Sequence, residues 1–267
     1  MSLLGTLSSG VSALDSFTTG LDTVGNNIAN INTTSFKGAD VSFADTYAGL
    51  GTQVQGVNTN FSQGALQSTG VSTDMAISGS GYFIVKDPAS GAQYATRDGE
   101  FHFDSNGYLV NQQGFQVQGL TGGSNGTAPG TLGPIKLGTP PTGTSLESAA
   151  IDTQGNVVES YSDGSSATTN EVLLQSYSNP AQLISQGNNL YSNLSAAGPL
   201  TTTLGAGNAP GQGGLGSVQS GSIEQSNVDL TQQFADMITL QRAFEANARI
   251  VTVSDSILED VVNMKTH

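Results

Sequence analysis

From Leu4 onward the apolar positions fall at Leu4, Leu7, Val11, Leu14, Leu21 and Ile28, with Thr18 and Gly25 completing an alternation of four- and three-residue steps. That is a heptad pattern, and it predicts an amphipathic helix at the N-terminal end. A flanking row of Leu3, Phe17, Val24 and Ile31 widens the stripe to that of a helix touching more than one partner. The far end repeats the pattern through Leu230, Phe234, Met237, Gln241, Phe244, Ala248, Val251, Asp255, Leu258 and Val262, with Gln241 and Asp255 as polar interruptions. Ser226, Asn227 and Asp229 offer N-caps just ahead of it. In the first helix the spacing puts Gly25 on the seam, where a missing side chain lets another helix approach closely. It puts Asn26, Asn27 and Asn30 beside the seam, where their amides can cap the helix end or hydrogen-bond a neighbouring copy.

Between the two ends the texture changes. Short alternating or β-branched runs such as TQVQGVNTNF, YFIVKD, FQVQGL and EVLLQSY are separated by Asp, Asn and Gly clusters. FHFDSNGYLV and AAIDTQGNVVESY each predict a hairpin, with Asn106-Gly107 and Gly155-Asn156 supplying the positive φ that tight turns need. The expected class is therefore α+β. Long N- and C-terminal helices pair as a coiled coil around an antiparallel all-β middle domain, with boundaries at 1–35, 36–224 and 225–267.

Composition narrows the function. The formal net charge is −14, with only seven Lys and Arg and no basic run, so neither nucleic acid nor an anionic lipid surface is an expected partner. No apolar run approaches the roughly 18–20 residues that span a bilayer, so no membrane insertion is expected. The start MSLLGTLSSGVSALD lacks the features of a secretory signal, which leaves the cytoplasm or an unusual export route. With no Cys, thiol chemistry is excluded.

Catalytic chemistry finds little support. His102, inside FHF, points away from Phe101 and Phe103, and neither it nor His267 has a partner at metal-ligand spacing. GQGGLG has no strand before it and reads as a linker; DSNG lacks the rest of a calcium loop. Asp98 and Glu100 share a strand face, but a pair of carboxylates needs a pocket to act as acid and base, and solvated hairpin charges are the simpler reading. No catalytic, cofactor-binding or metal residue is assigned.

LDTVGNNIANINTTSFKGADVSFAD closely resembles the N-terminal signature of the bacterial flagellar rod and hook proteins. Gly25, Asn26, Asn27, Ile28, Ala29, Asn30, Phe36 and Lys37 match it, and Ser35 stands where the family usually has Gly. STDMAISGSGYFIV, YATRDGEFHFDSNGYLVNQQGFQVQG and NPAQLISQGNNLY resemble the family's β-domain motifs. SIEQSNVDLTQQFADMITLQRAFEANARIV resembles its C-terminal signature.

The resemblance implies a structural subunit, without cofactor, that self-associates into a helical tube with the terminal helices in the inner wall. Its expected assembly residues are Leu4, Leu7, Val11, Leu14, Leu21, Gly25, Asn26, Asn27, Ile28 and Asn30 of the first helix. On the second they are Asn227, Leu230, Phe234, Met237, Gln241, Phe244, Ala248, Val251 and Leu258. Other flagellar axial proteins, a hook cap and the flagellar export apparatus are the implied partners, and the flagellum, reached without a cleavable signal, is the implied location. The short segment between SFAD and TNFSQG and the phrase GFQVQGL resemble the hook protein, so a short hook subunit transmitting torque is the main expectation. A distal rod subunit, which the chain length suits, is the alternative; a secreted binding module or glycan-active enzyme is a remote third.

Overall fold

The computed structural model describes residues 3–46, 51–122, 130–201 and 204–265. The chain divides into two compact units, one made of Met1–Ser62 with Ser226–His267 and the other of Gln63–Gln225. The first therefore joins the two ends of the chain, and residues 36–62, expected in the middle domain, belong with the helices.

In that unit α1 (Leu3–Ala29) is followed by a hairpin of β1 (Ala39–Asp45) and β2 (Thr52–Thr59), and α2 (Leu230–Lys265) completes it. The hairpin is antiparallel, with a bulge between Ser42 and Phe43. Asp229 accepts from the N–H groups of Thr231 (2.8 Å) and Gln232 (3.2 Å), which makes it the N-cap of α2. At the other end of the unit Asn30 turns its amide back onto the Asn26 carbonyl oxygen (2.9 Å) as α1 finishes.

The expectation of two long helices paired as a coiled coil is not met. These two are the only α-helices among the described residues, and the seams drawn from heptad spacing do not close on each other. Val11 is 52% exposed, Leu230 41% and Phe234 48%. The buried positions of α1 are instead Gly10, Ala13, Ser16, Gly20, Val24 and Asn27, a row of mostly small or polar side chains that shares no member with the predicted stripe of Leu4, Leu7, Val11, Leu14, Leu21 and Ile28. The physical reason lies in what α1 has to touch. A Cβ on Gly10 would come within 2.9 Å of Val251 Cγ2, and one on Gly20 within 3.2 Å of Leu240 and 3.3 Å of Phe43. The Ser16 hydroxyl donates to the Thr52 carbonyl oxygen at 3.1 Å, and Phe17 meets Phe43 edge to face. Helix α1 is thus wedged between α2 and the hairpin through small side chains, and a seam of knobs in holes has no place in it. Gly25, expected to mark the close approach, has nothing within 4 Å of its would-be Cβ.

The second unit is antiparallel β throughout its described pairings. Its main sheet runs in the order Leu146–Ile151, Asn156–Tyr161, Ser166–Val172, Gln116–Thr121, Tyr82–Lys86, Gln93–Thr96, Leu190–Ser192, Ile184–Ser185. Two short pairs stand apart, Met75–Ser78 with Ser217–Ser220 and Leu66–Ser68 with Ser222–Glu224. Met75, Ile77, Phe83, Val85, Leu109, Val117, Ile135 and Val172 form its core. Both expected hairpins form. Positive φ is carried there by Gly107 (81°) and Gly155 (83°) alone; the neighbouring Asn residues do not adopt it. Each turn is closed instead by an aspartate four residues before the returning strand. Asp104 accepts from the N–H of Tyr108 and Asp152 from that of Asn156.

Gly99 is the tightest point of this unit, because a Cβ there would lie 1.6 Å from the Met75 carbonyl oxygen. Gly99→Ala must push two backbone segments apart. It is expected to destabilise the β unit by about 2–4 kcal/mol and to lower its melting temperature by about 5 °C or more, read by circular dichroism; an unchanged melting curve would show that the approach is not needed.

Candidate assembly interface

The junction between helices and hairpin is held by two asparagines. Asn27, in the last turn of α1 and 3% exposed, donates from Nδ2 to the Ala39 carbonyl oxygen (2.8 Å) and to Gln233 Oε1 (2.9 Å). Its Oδ1 accepts the Ala39 N–H at 3.0 Å. Asn227, just before α2, accepts the Gly38 N–H at 2.9 Å and donates to the carbonyl oxygens of Asn60 (2.8 Å) and Ser62 (3.0 Å). The buried Lys37 ammonium adds a bond to the same Ser62 oxygen at 2.8 Å. The amide of Asn27, expected to be open to a neighbouring copy, is therefore spent inside its own chain.

The remaining expected interface residues separate into two groups. Leu7, Leu14, Leu21 and Ile28 on α1, and Met237, Phe244, Ala248, Val251 and Leu258 on α2, are half-buried within the unit. Val11, Asn26, Leu230, Phe234 and Gln241 are exposed, while Asn30 is half-buried at its helix end. The side chains of Leu4 and Val262, and all of His267, lie outside the described residues. The less exposed positions on α2 include a row of Gln233, Met237, Leu240, Phe244, Asn247, Val251, Ser254 and Leu258, with Asp236, Ala243 and Ala248 half-buried beside it. Four members of the row coincide with the expected stripe, and those between them sit one residue earlier, which moves Gln241 and Asp255 to the solvent side. What α2 leaves uncovered is two sets of apolar side chains on different sides of the helix, Leu230, Phe234 and Ile238 towards its start and Ile250, Val253, Ile257, Val261 and Met264 towards its end. Beside α1 a groove of about 260 Å³ opens among Gly20, Val24, Val41, Phe43, Gln233 and Leu240.

Comparison with known proteins places this arrangement. Residues 7–37 match the family model "Flagella basal body rod protein", residues 76–159 "Flagellar hook protein FlgE/F/G D1 domain" and residues 219–264 "Flagellar basal body rod FlgEFG protein C-terminal". A flagellar basal-body rod protein FlgG of Bacillus subtilis is 36% identical over 284 residues, which take in 98% of this chain and 100% of that protein. The chain belongs to the flagellar rod and hook protein family. A FlgG of Borreliella burgdorferi is 30% identical over 92% of each chain. The flagellar hook protein FlgE of Salmonella typhimurium is 26% identical over 407 aligned residues. This rod and hook family is structural, not enzymatic, and belongs to the flagellum. No helix among the described residues is long and apolar enough to cross a membrane.

Two details of the rod and hook signature gain a physical cause. Ser35, standing where the family usually has Gly, is buried with φ of 56°, the left-handed region in which a side chain is strained and glycine is not. Gly38 is crowded, with a Cβ position 3.1 Å from Val228 and 3.5 Å from the Asn227 amide oxygen.

In the β unit Asp98, expected to be a solvated hairpin charge, is partly withdrawn from water. Burial, reinforced by the charges of Glu100 and Asp74, pushes the Asp98 carboxyl up to about 6, although it accepts the Glu100 N–H at 3.2 Å. Glu100 is held by Gln112 at 2.7 Å, and His102 is exposed on the rim of an open depression with Asp74 and Glu100. No group of three or more His, Cys, Asp or Glu able to hold a metal occurs among the described residues.

Asn27→Ala leaves both backbone groups of Ala39 without their side-chain partner and is expected to destabilise the helical unit by about 2–4 kcal/mol. Asn27→Asp, which turns a donor into an acceptor facing two oxygens, should cost at least as much, both measured by denaturant unfolding; a neutral result for either would remove the amide from its role. For Asp98 the folded-state value lies above the ordinary 3.8. The stability it allows is fully present below that value and is lost as the pH rises through about 6. Asp98→Asn should therefore stabilise the protein at pH 7–8 by about 1 kcal/mol, a gain that vanishes near pH 4; a gain independent of pH would contradict the cause given.

Proposed function

We propose that this chain is a subunit of the flagellar basal-body rod and that it polymerises with copies of itself. The observation that carries this reading is the end-to-end correspondence with rod proteins, 98% of this chain against 100% of the Bacillus subtilis FlgG. Alignment with the Salmonella hook protein instead spreads a chain of 267 residues over 407 positions, so that hook protein contains long stretches with no counterpart here. The short hook subunit favoured by the GFQVQGL resemblance gives way to the rod, and a hook cap has no part in it.

The uncovered apolar side chains of α2 support polymerisation. Each large aliphatic side chain moved from water into a contact contributes about 1.5–3 kcal/mol, and Met264, 73% exposed, and Ile238, 59% exposed, stand largely in water. A neighbouring copy supplies the cover. In this reading Val11, Asn26, Leu230, Phe234 and Gln241 remain assembly residues, whereas Asn27 and Asn227 act by holding the unit together. The subunit travels through the flagellar export apparatus and abuts other axial proteins at the ends of its segment.

Electron microscopy of basal bodies from cells lacking the gene tests the assignment. Rods that stop short, with no hook, are expected; complete rods missing only the hook would overturn it in favour of the hook.

A further inference from the structure

Two arginines lie on the uncovered side of α2 between its two apolar sets. Arg242 lies one turn from the exposed Ile238 on one side and from Ala246 on the other, and Arg249 lies beside Ile250 and one turn from Val253. Arg242 reaches only Glu245 of its own helix, at 3.1 Å, in an exposed pair worth little. Among the described residues no carboxylate pairs with Arg249. A copy seated on this side desolvates both guanidinium groups, and a purely apolar cover would leave them as buried unpaired charges, which costs more than the neighbouring isoleucines gain. The covering surface must present carboxylates at matching spacing. The two arginines are seven residues apart, about 10.5 Å along the helix axis.

One surface of the helical unit fits. Helix α1 carries no Lys or Arg, and its two acidic residues, Asp15 and Asp22, are also seven apart and both exposed. The other acidic pair with that spacing, Asp229 and Asp236, is engaged on its own helix, as N-cap and as acceptor from Gln232 at 2.9 Å. Asp40 and Asp45 stand on a strand, where five residues span about 17 Å, too far for the two arginines.

We infer that Arg242 and Arg249 of one copy pair with Asp15 and Asp22 on α1 of a neighbouring copy, a two-point charge register that fixes where one helix stops along the other. The pairing presupposes the self-assembly proposed above. It is tested with the full chain by sedimentation of polymer across a concentration series. Asp15→Arg with Asp22→Arg, and separately Arg242→Glu with Arg249→Glu, should each raise the critical concentration at least tenfold, while the chain with all four reversed should return to within about threefold of the unaltered one. Melting of the dilute monomers should be the same for all, which separates a contact between copies from one within a chain. Arg242→Gln with Arg249→Gln, which removes both charges but keeps polar, hydrogen-bonding side chains, should flatten the salt dependence of polymerisation. Polymerisation of either reversed pair at the unaltered concentration, failure of the fourfold chain to assemble while its monomer melts normally, or an unchanged salt dependence would overturn the pairing and leave the rod reading standing. An unaltered chain that never polymerises would overturn both.

Discussion

The helical unit depends on amides that bridge the two ends of the chain. Asn27 serves both backbone groups of Ala39 and the side chain of Gln233, a partner 206 residues away in sequence. Asn227 reaches in the opposite direction, to Gly38, Asn60 and Ser62. Between them they satisfy the polar groups exposed where α1 gives way to the hairpin and where the chain returns to start α2. Those groups would otherwise be buried without partners, each at a cost of about 1–3 kcal/mol. An amide suits the position because it carries two donors and a separate acceptor; a carboxylate has no donor and a hydroxyl has only one.

The β unit uses a charge in a comparable place. Glu224 is fully buried and receives the Arg97 guanidinium at 3.4 Å and the Gly64 N–H at 2.8 Å. Arg97 in turn donates to the Gly79 carbonyl oxygen at 2.8 Å and lies over the Tyr82 ring, 5.2 Å from its centre. Such a pair adds little net stability over an apolar substitute, but losing one partner strands the other, so it ties the last strand of the unit to the Gly79 turn and to the strand that begins at Tyr82.

Much of this was legible in the chain. The two terminal helices, the cap at Asp229 and the hairpins around Gly107 and Gly155 follow from spacing and turn chemistry that act over a few residues. The contacts of α1 were not legible in the same way. A heptad count ranks positions by hydrophobicity, so it selected Val11 and Gly25 and passed over Gly10, Ser16 and Gly20, whose value lies in what they lack. Nor could local pattern reveal that residues 36–62 join the helices, since that depends on Ser16, Phe17 and Asn27 meeting segments distant in sequence. Asp98 escapes local pattern for a related reason: its hairpin setting suggests water, and only the fold draws it partly out of solvent.

The short pair Leu66–Ser68 with Ser222–Glu224 has a kinetic consequence. It brings together the two points at which the β unit begins and ends, with the Gln225 N–H bonded to the Ala65 oxygen at 2.8 Å. Before it forms, joining Asn27 to Gln233 means closing a loop spanning 206 residues. Once it has formed, the free chain left to close is roughly fifty residues, and the entropy of closure falls by about 1 kcal/mol. Hairpins closed by Asp104 and Asp152 within four residues form on a timescale of about microseconds. Topology thereby makes the inserted β unit a clasp: once its ends are closed, the helices meet at a lower entropic cost.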